Sequence, residues 1–484
     1  MRRLTLIQSS VAATVLCFSA AWAQQDSQST GPATPIQPLS PWTDSSGGQQ
    51  PRPAAVDASL TQNGAPSGTA AQAQPDTHLL SSAETLGLGS LRGRRHMFDP
   101  ALQFSEFSET GLVPGRATAV SNLGGSLDMS QQRGRYNLTM AYKGADIFYQ
   151  PSYYGLHHAP YDDFSISPEV FLGRWTLRLR ETALYSWQSS FGGLFTGGPA
   201  HAVQSGLLSS IQPSLAPNGT IQTGLARQLN NTVLGEADYS FGRRTTLTVV
   251  GSYGLLHFLD PGYINSQSIV GRVGYDYALS AANSVSLSYD FNRTSFGGAG
   301  YRMQTDLVQM SLGRKITGRL AFQLGAGPQV LRLENVGSAT RQLSWNASSA
   351  VTYNLSRTGY SLSYFRGVTA GSGVFFGSKS ETITGTANHK FTPFWSASVN
   401  GGYALNDSLV PAGIFASRFD NWFAFASLNR QMGRHIHWSL SYGFQRQTSG
   451  AGSCPVLSCG LPGSQSFRQF GANLQWHPLL VRAR

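Results

Sequence analysis

His437 and Ser439 stand two positions apart, in one of the few places where residue types in this sequence could do chemistry. A serine hydroxyl acts as a nucleophile when a histidine lies within hydrogen-bond reach and a third group orients the ring. Residues two apart share one face of a β-strand, and here that face lies opposite Trp438 and Leu440. We therefore expect a histidine beside a hydroxyl on a polar surface, and we predict no catalytic residue.

A second cluster combines His157, His158, Asp162 and Asp163 with several tyrosines. Imidazole and carboxylate groups at this spacing could bind a divalent metal ion. Connections rich in tyrosine and histidine are more often simply polar and aromatic. No metal ligand and no cofactor is therefore predicted.

Cys454 and Cys459 are the only cysteines after residue 23. In an exported protein, two cysteines this close are expected to form a disulfide that closes a small loop. Metal binding by the pair is disfavoured, because no further cysteine or histidine lies close to it in sequence.

Eight charged residues are expected on the polar faces of strands. They are Asp128, Arg178, Arg180, Glu236, Asp238, Arg272, Asp276 and Asp290. In a wide hydrated channel these groups would line the pore, and their field would bias ion passage. They could equally form cross-strand ion pairs that stiffen the wall. Because both signs of charge are present, strong ion selectivity is not predicted.

The strands that must position these residues are clearest from Ile269 to Arg293. In residues 269–279, apolar and aromatic residues alternate with a second set that includes Arg272 and Asp276. After a Ser-Ala-Ala-Asn turn, residues 285–292 repeat the alternation. This period of two indicates strands with one apolar and one polar face, and the short turn predicts a hairpin.

The same unit recurs from Met97 to Trp476 and predicts an all-β fold. Specifically, we expect a transmembrane antiparallel up-and-down β-barrel of about 16–18 strands. Short connections, often containing Gly-Arg, alternate with long ones such as 150–163 and 188–231. Outer-membrane barrels have such short periplasmic turns and long extracellular loops. Pro168 and Pro328 fall inside strands, which predicts bulges or misplaced strand limits.

Composition and charge disfavour other classes. Charged residues make up 12% of the chain, about half of the roughly 25% typical of soluble domains. The net charge of +11 comes from arginines spread along the chain, so nucleic acid is not predicted as a partner. A secreted β-sandwich or propeller would also alternate, but its core would have to enclose implausibly many aromatic residues.

The N-terminus predicts export. Residues 1–23 have the features of a signal peptide: Arg2 and Arg3, an apolar stretch, and Ala21-Trp22-Ala23 before the cleavage site. Residues 24–96 are rich in Pro, Gln and Ser, which predicts a disordered periplasmic leader. No later run of about 18 apolar residues is present, so no transmembrane helix is expected.

Over residues 97–476, the chain resembles the porin-like outer-membrane β-barrels of bacteria. The resemblance rests on the strand pattern, the signal peptide and the last strand, Phe470-x-Ala472-x-Leu474-x-Trp476, which is similar to the signal read by the barrel-assembly machinery. It implies a location in the bacterial outer membrane, in contact with its lipid. Residues 477–484 form a C-terminal tail that departs from the family, which usually ends at the aromatic residue.

A barrel of this size leaves an aqueous channel unless it is plugged. The expected function is passive diffusion of small hydrophilic solutes, and no enzyme activity is predicted. The segment 188–231 is expected to fold partly into the mouth, because a long loop with apolar residues favours shelter. The alternatives are a structural or adhesive surface barrel occluded by its loops, or an outer-membrane lipid hydrolase that uses His437 and Ser439.

Overall fold

A computed structural model of the chain describes residues 97–482 apart from gaps in the connections between strands. These gaps are 114–115, 154–155, 189–225, 298–299, 336–337, 371–372, 374, 411–417, 434, 450–463 and 479–480. The predicted signal peptide, the leader and both Cys454 and Cys459 lie outside the described residues. Within the described ranges, no helix is long and apolar enough to cross a membrane.

The described chain consists of eighteen long strands and one strand of two residues. They are β1 (Met97–Val113), β2 (Arg116–Arg133), β3 (Tyr136–Tyr153), β4 (Leu156–Leu172), β5 (Trp175–Gln188), β6 (Ala226–Ser240), β7 (Thr245–Phe258), β8 (Ser266–Ala278), β9 (Asn283–Phe296), β10 (Arg302–Lys315), β11 (Leu320–Asn335), β12 (Ser338–Asn354), β13 (Thr358–Thr369), β14 (Ser378–Lys390), β15 (Trp395–Ser408), β16 (Arg418–Met432), β17 (Ile436–Ser449), β18 (Ser464–Trp476) and β19 (Val481–Arg482).

The sheet closes on itself. From β1 to β18, each strand pairs antiparallel with its neighbours in sequence, and β1 pairs antiparallel with β18. The closing ladder runs from Leu102 opposite Trp476 to Thr110 opposite Arg468, and β19 adds two pairs at the start of β1. Closure gives each of the eighteen long strands a partner on both sides, so the wall has no open edge. The predicted barrel is therefore confirmed, with eighteen strands in its wall.

The two faces of the wall differ as the alternation predicts. Ile269 and Leu287 are 56% and 54% exposed on the outer surface, whereas Ser286 and Ser288, on the other face of β9, are 2% and 3% exposed. Exposed Leu, Val, Tyr and Trp side chains recur on the outer face around the wall. An apolar exterior around a polar interior suits a barrel embedded in lipid.

Strand lengths correct two expected connections. β3 continues to Tyr153 and β4 begins at Leu156, so most of the expected loop 150–163 is strand. β6 begins at Ala226, so the expected loop 188–231 ends earlier. In both places the backbone pairing continues into sequence whose polar composition resembles a loop.

The two prolines inside strands produce no bulge. Ile166 lies opposite Glu181 and Glu169 opposite Arg178, so the register is the same on both sides of Pro168. The β10–β11 ladder also keeps its register across Pro328. Each ladder lacks only the pairs at and beside the proline, which has no N–H to donate. The expectation of bulges or misplaced limits at these positions is therefore wrong.

Candidate functional site in the barrel interior

The inward face of the wall is divided into a charged part and an uncharged part. Among the described residues, β1–β10 carry nearly all inward-facing acidic and basic side chains. Strands β11–β18 present amides, hydroxyls and phenylalanines, with Lys390 and His437 near the short turns. All eight charged residues singled out from the sequence lie on inward-facing positions of β2, β5, β6, β8 and β9.

Arg178 is the centre of a buried ion-pair cluster. Its Nε donates to Glu169 Oε1 at 2.8 Å, and its Nη1 pairs with Glu236 and Asp238. Thr248 donates a further hydrogen bond to Asp238 at 2.7 Å. One guanidinium is therefore shared among three carboxylates from the neighbouring strands. These groups form cross-strand ion pairs within the wall.

Arg272 and Asp290 form a second buried pair. They lie directly opposite each other on β8 and β9, and the guanidinium contacts both carboxylate oxygens, with Nη2 at 2.9 Å from Oδ2. Asp276 and Arg180 also lie inward and are 1% and 4% exposed, and Asp128 lies inward on β2. That these eight residues line a conducting pore stays a prediction.

Sequence reasoning missed Glu169, Asp99 and His477. On β4, Ile166 and Val170 face outward. The alternation of the strand could therefore have placed Glu169 inward. Asp99 and His477 come from opposite ends of the barrel sequence and meet only because β1 pairs with β18. No local pattern identifies such a pair.

Hydroxyl and amide groups form a hydrogen-bonded chain on the uncharged part of the wall. Thr369 Oγ1 lies 2.7 Å from Ser378 Oγ and 2.8 Å from Ser380 Oγ, and Ser380 donates to Asn406 Oδ1 at 2.7 Å. Hydroxyls both donate and accept, and amides carry a donor and an acceptor. Groups of this kind can exchange hydrogen bonds with water or with a hydroxylated solute.

Several buried amides on this part of the wall lack a hydrogen-bond partner among the described protein groups. Gln445 is 0% exposed, and neither its Nε2 nor its Oε1 has a partner. The side-chain oxygens of Gln323, Gln329 and Asn346 are in the same state. Leaving a buried polar group unsatisfied costs about 1–3 kcal/mol, so such groups are usually satisfied by water. The wall is therefore suited to a hydrated interior.

Of the connection 370–377 between β13 and β14, residues 370, 373 and 375–377 are described, and they fold into the mouth of the barrel. The Gly373 carbonyl accepts a hydrogen bond from the backbone N–H of Ile264 at 2.8 Å, although Ile264 precedes β8, several strands away around the wall. Phe375 is buried and packs on Phe419, and Phe376 stacks on Tyr301 with ring centroids 4.6 Å apart. These residues therefore contact parts of the wall that lie several strands apart.

Two glycines allow this path. Gly373 and Gly377 have φ angles of 79° and 88°, a conformation that other residues rarely adopt. A Cβ at Gly373 would also lie 2.3 Å from the Phe258 ring. The mouth segment that the sequence analysis singled out, 188–231, is described only at residue 188 and from Ala226 onward, where it belongs to β5 and β6. Its remainder lies outside the described residues.

His437 and Ser439 face inward on β17, beside the short turn before that strand. The His437 ring contacts the His477 ring at 5.0 Å, and His477 Nδ1 donates to Asp99 Oδ1 at 2.7 Å. An activated serine requires a hydrogen bond to its histidine. Within the described part of the chain, no hydrogen bond joins Ser439 to the imidazole of His437 or of His477. The arrangement gives no support to the lipid hydrolase alternative.

Strand alternation separates the histidines and aspartates of β4. His158 faces outward with its Nδ1 3.3 Å from Asp146 Oδ1, and Asp162 accepts a hydrogen bond from the Tyr142 hydroxyl at 2.8 Å. Asp163 faces inward. Over the described residues, no group of three or more side chains is arranged to hold a metal ion.

A closed antiparallel barrel with an apolar exterior, a polar interior and short turns at one end defines a class. The described part of the chain has the fold of a transmembrane β-barrel. No family model matches its sequence, and no curated protein matches it.

Three solved structures similar to this chain are proteins of Pseudomonas aeruginosa. The outer membrane protein OpdK is 11% identical, with 79% of this chain and 98% of that chain covered and a TM-score of 0.41. OccK2 (OpdF), solved in complex with glucuronate, is 11% identical, with 80% and 100% covered and a TM-score of 0.42. OprD is 10% identical, with 80% and 98% covered and a TM-score of 0.39.

Proposed function

We propose that this protein is a passive channel for small hydrophilic solutes, and that uncharged, hydroxyl-rich solutes pass most readily. The observation that carries this proposal is the uncharged wall of β11–β18, where both amide atoms of Gln445 and the amide oxygen of Gln323 have no partner among the described protein groups. Amides and hydroxyls offer donors and acceptors that a neutral polar solute can match. The charged part of the wall adds little field, because Arg178 and Arg272 are already paired with carboxylates.

Within this function, the segment 370–377 sets the size limit. Phe375 and Phe376 fix it against the wall at the mouth, where it meets solutes before the hydrogen-bonding surface does. A narrow entrance followed by a polar wall favours small solutes over large ones.

Reconstitution of the purified full-length protein tests the proposal. In planar bilayers we expect stepwise ohmic conductance. In liposomes we expect faster swelling with a neutral monosaccharide than with a charged sugar of the same size. Bilayers that stay silent while the protein is demonstrably folded would contradict a channel function.

An occluded structural or adhesive barrel is the second candidate, and the burial of inward side chains favours it. Thr248 and Gln228, both inward, are 0% exposed. An occluded barrel should show no conductance, and it should stay silent after Phe375 and Phe376 are replaced by serine. A channel narrowed by its mouth segment should conduct in both forms.

Export and assembly complete the proposal. Residues 1–23 would direct secretion and be removed, and Cys454 and Cys459 would form a disulfide in the last extracellular connection. Strand β18 would be recognised by the barrel-assembly machinery, since Phe470, Leu474 and Trp476 lie exposed along its outer face.

A further inference from the structure

Three arginines form a row on the outer surface of the barrel. This arginine row consists of Arg293 on β9, Arg332 on β11 and Arg341 on β12, with Gln304 of β10 between the first two. Arg293 lies opposite Gln304, which lies opposite Arg332, which in turn lies opposite Arg341. All three arginines are exposed. The row crosses four adjacent strands.

The row lies at the extracellular limit of the apolar surface. On β11, the outward positions from Leu320 to Val330 carry apolar or small side chains, and Arg332 is the next outward residue. A tilted strand needs about 9–11 residues to cross a bilayer, and this apolar run is long enough to do so. The longest connections of the barrel, 189–225 and 450–463, lie at the same end as the row, which is the extracellular end in barrels of this kind. The arginine row therefore lies at the level of the lipid headgroups of the outer leaflet.

The charges of the row are not balanced by the protein. Like charges directly opposite each other on neighbouring strands destabilise a sheet, and Arg332 and Arg341 occupy such positions. In the described ranges, neither arginine forms a hydrogen bond or an ion pair.

The carboxylates nearby do not remove this excess. Asp306 accepts hydrogen bonds from the Tyr289 hydroxyl at 2.8 Å and from Gln304 Nε2 at 3.2 Å. Glu334 lies opposite a fourth arginine, Arg302. At this end of β9–β12, four outward-facing arginines therefore face two carboxylates, which leaves two positive charges for an external anion.

We propose that the arginine row binds the phosphate groups of a phosphorylated glycolipid in the outer leaflet, such as lipid A. A guanidinium matches phosphate oxygens with paired N–H donors, and a phosphate between Arg332 and Arg341 turns their repulsion into two attractions. The acyl chains of the same lipid would lie on the apolar band below, where Leu343 is 73% exposed. A free phosphate would gain nothing from that band, so the surface fits a lipid better than an inorganic anion.

The test compares lipid binding by the full-length protein and its variants in detergent micelles, counted by native mass spectrometry. The probes are diphosphoryl lipid A and the same lipid without its phosphates. Arg332→Gln combined with Arg341→Gln should weaken binding of diphosphoryl lipid A by about tenfold, as expected for the loss of two charge-assisted contacts. The phosphate-free lipid should bind weakly and equally to both proteins.

The matched control is Arg357→Gln combined with Arg430→Gln, which removes two arginines at the opposite end of the barrel. This control should bind diphosphoryl lipid A like the parent. Unchanged binding by the Arg332 and Arg341 variant, or an equal loss in the control, would overturn the proposal.

Thermal unfolding separates lipid from free anion. Without phospholipid, the Arg341→Gln variant should unfold at the same temperature as the parent or at a higher one, because one of two positive charges that face each other is gone. Lipid A should raise the unfolding temperature of the parent more than that of Arg341→Gln. An equal arginine-dependent shift with inorganic phosphate at the same concentration would show a free-anion site and overturn the lipid assignment.

Discussion

At the scale of single residues, burial decides how much an ion pair matters. Arg178 and Glu169 have side chains that are each 4% exposed, whereas those of Arg227 and Asp260 are 41% and 24% exposed. Exposed pairs contribute little, because water and salt screen them. Removing one member of a buried pair leaves its partner charged in a poor solvent, at a cost of roughly 3–5 kcal/mol.

Arg178→Gln should therefore lower the free energy of unfolding by roughly 3–5 kcal/mol, since three carboxylates lose their shared cation. Urea titration of the folded barrel in phospholipid vesicles measures this change. The matched control is Arg227→Gln, which breaks an exposed pair and should cause a much smaller loss. Equal losses in the two variants would show that the Arg178 cluster is hydrated rather than buried.

The exposed pair has its own pH dependence. Burial acts to raise the pKa of Asp260, but the hydrogen bonds from the side chain and backbone N–H of Arg227 outweigh it and hold that pKa below its ordinary value. A carboxyl with a lowered folded-state pKa contributes stability that is fully present above its unfolded pKa, about 4, and is lost as the pH falls through the folded value. The connection 259–265 should therefore loosen in acid.

Amide hydrogen exchange, corrected for the intrinsic rate at each pH, measures this loosening. The N–H of Leu259 donates to the Arg227 carbonyl at 2.9 Å and should lose protection between neutral and strongly acidic pH. Asp260→Asn should show the lower protection at every pH. Protection that stays constant in the parent would contradict a role for the Asp260 carboxylate.

The sequence predicted on which face a charged residue lies but not which partner it contacts. Alternation alone placed Arg272 and Asp290 inward, because parity is a local property of a strand. Their pairing, and the opposition of Arg332 to Arg341, depend on the register between strands. Register is set by connections and by contacts across the sheet, which a single sequence does not reveal.

At the scale of elements, the segment 370–377 is the part of the fold that tests the proposed channel function most directly. Phe375→Ser combined with Phe376→Ser removes the aromatic packing that holds it against Phe419 and Tyr301. Single-channel conductance should rise, and larger sugars should enter liposomes faster. Phe391→Ser is the matched control, since Phe391 is 50% exposed beside a short turn at the other end. Conductance unchanged by the double variant would mean that the segment does not limit flow.

This element was out of reach of the sequence analysis for a physical reason. A strand can be predicted from the period of two in its sequence. The path of an inward-folded connection depends instead on contacts with Ile264 and Phe419, which are far away in sequence. The available signal was two adjacent phenylalanines in a glycine-rich stretch, 371–377. Apolar side chains in a connection favour burial, and here they pack against aromatic residues at the mouth of the barrel.

At the scale of the whole molecule, the seam between β1 and β18 turns a sheet into a barrel. Its contacts join residues from the two ends of the strand region, so their loop-closure entropy is the largest in the fold. At the end beside the short turns, Nδ1 of His477, which directly follows β18, donates to Asp99 Oδ1 of β1 at 2.7 Å. Counting strands from the sequence predicted that the sheet closes, but not these contacts.

Gly471 is the position where closure allows no side chain. It lies opposite Phe107, and a Cβ there would be 2.1 Å from the Phe107 ring and 2.6 Å from the Glu106 carbonyl oxygen. The ring could turn away, but the carbonyl belongs to the closing ladder and cannot move without weakening it. We therefore expect Gly471→Ala to form a barrel that closes slowly or incompletely, with a smaller folded fraction in vesicles.

The shift in gel mobility between folded and boiled protein measures that fraction. Gly271→Ala is the matched control, because it adds the same methyl group to a strand residue with no atom within 4 Å of the new Cβ. Adding Phe107→Ala to Gly471→Ala should restore folding only in part, since the contact with the Glu106 carbonyl remains. If Gly471→Ala folds as completely as Gly271→Ala, the register of the seam differs from the one described, and Asp99 and His477 would not be held together by it.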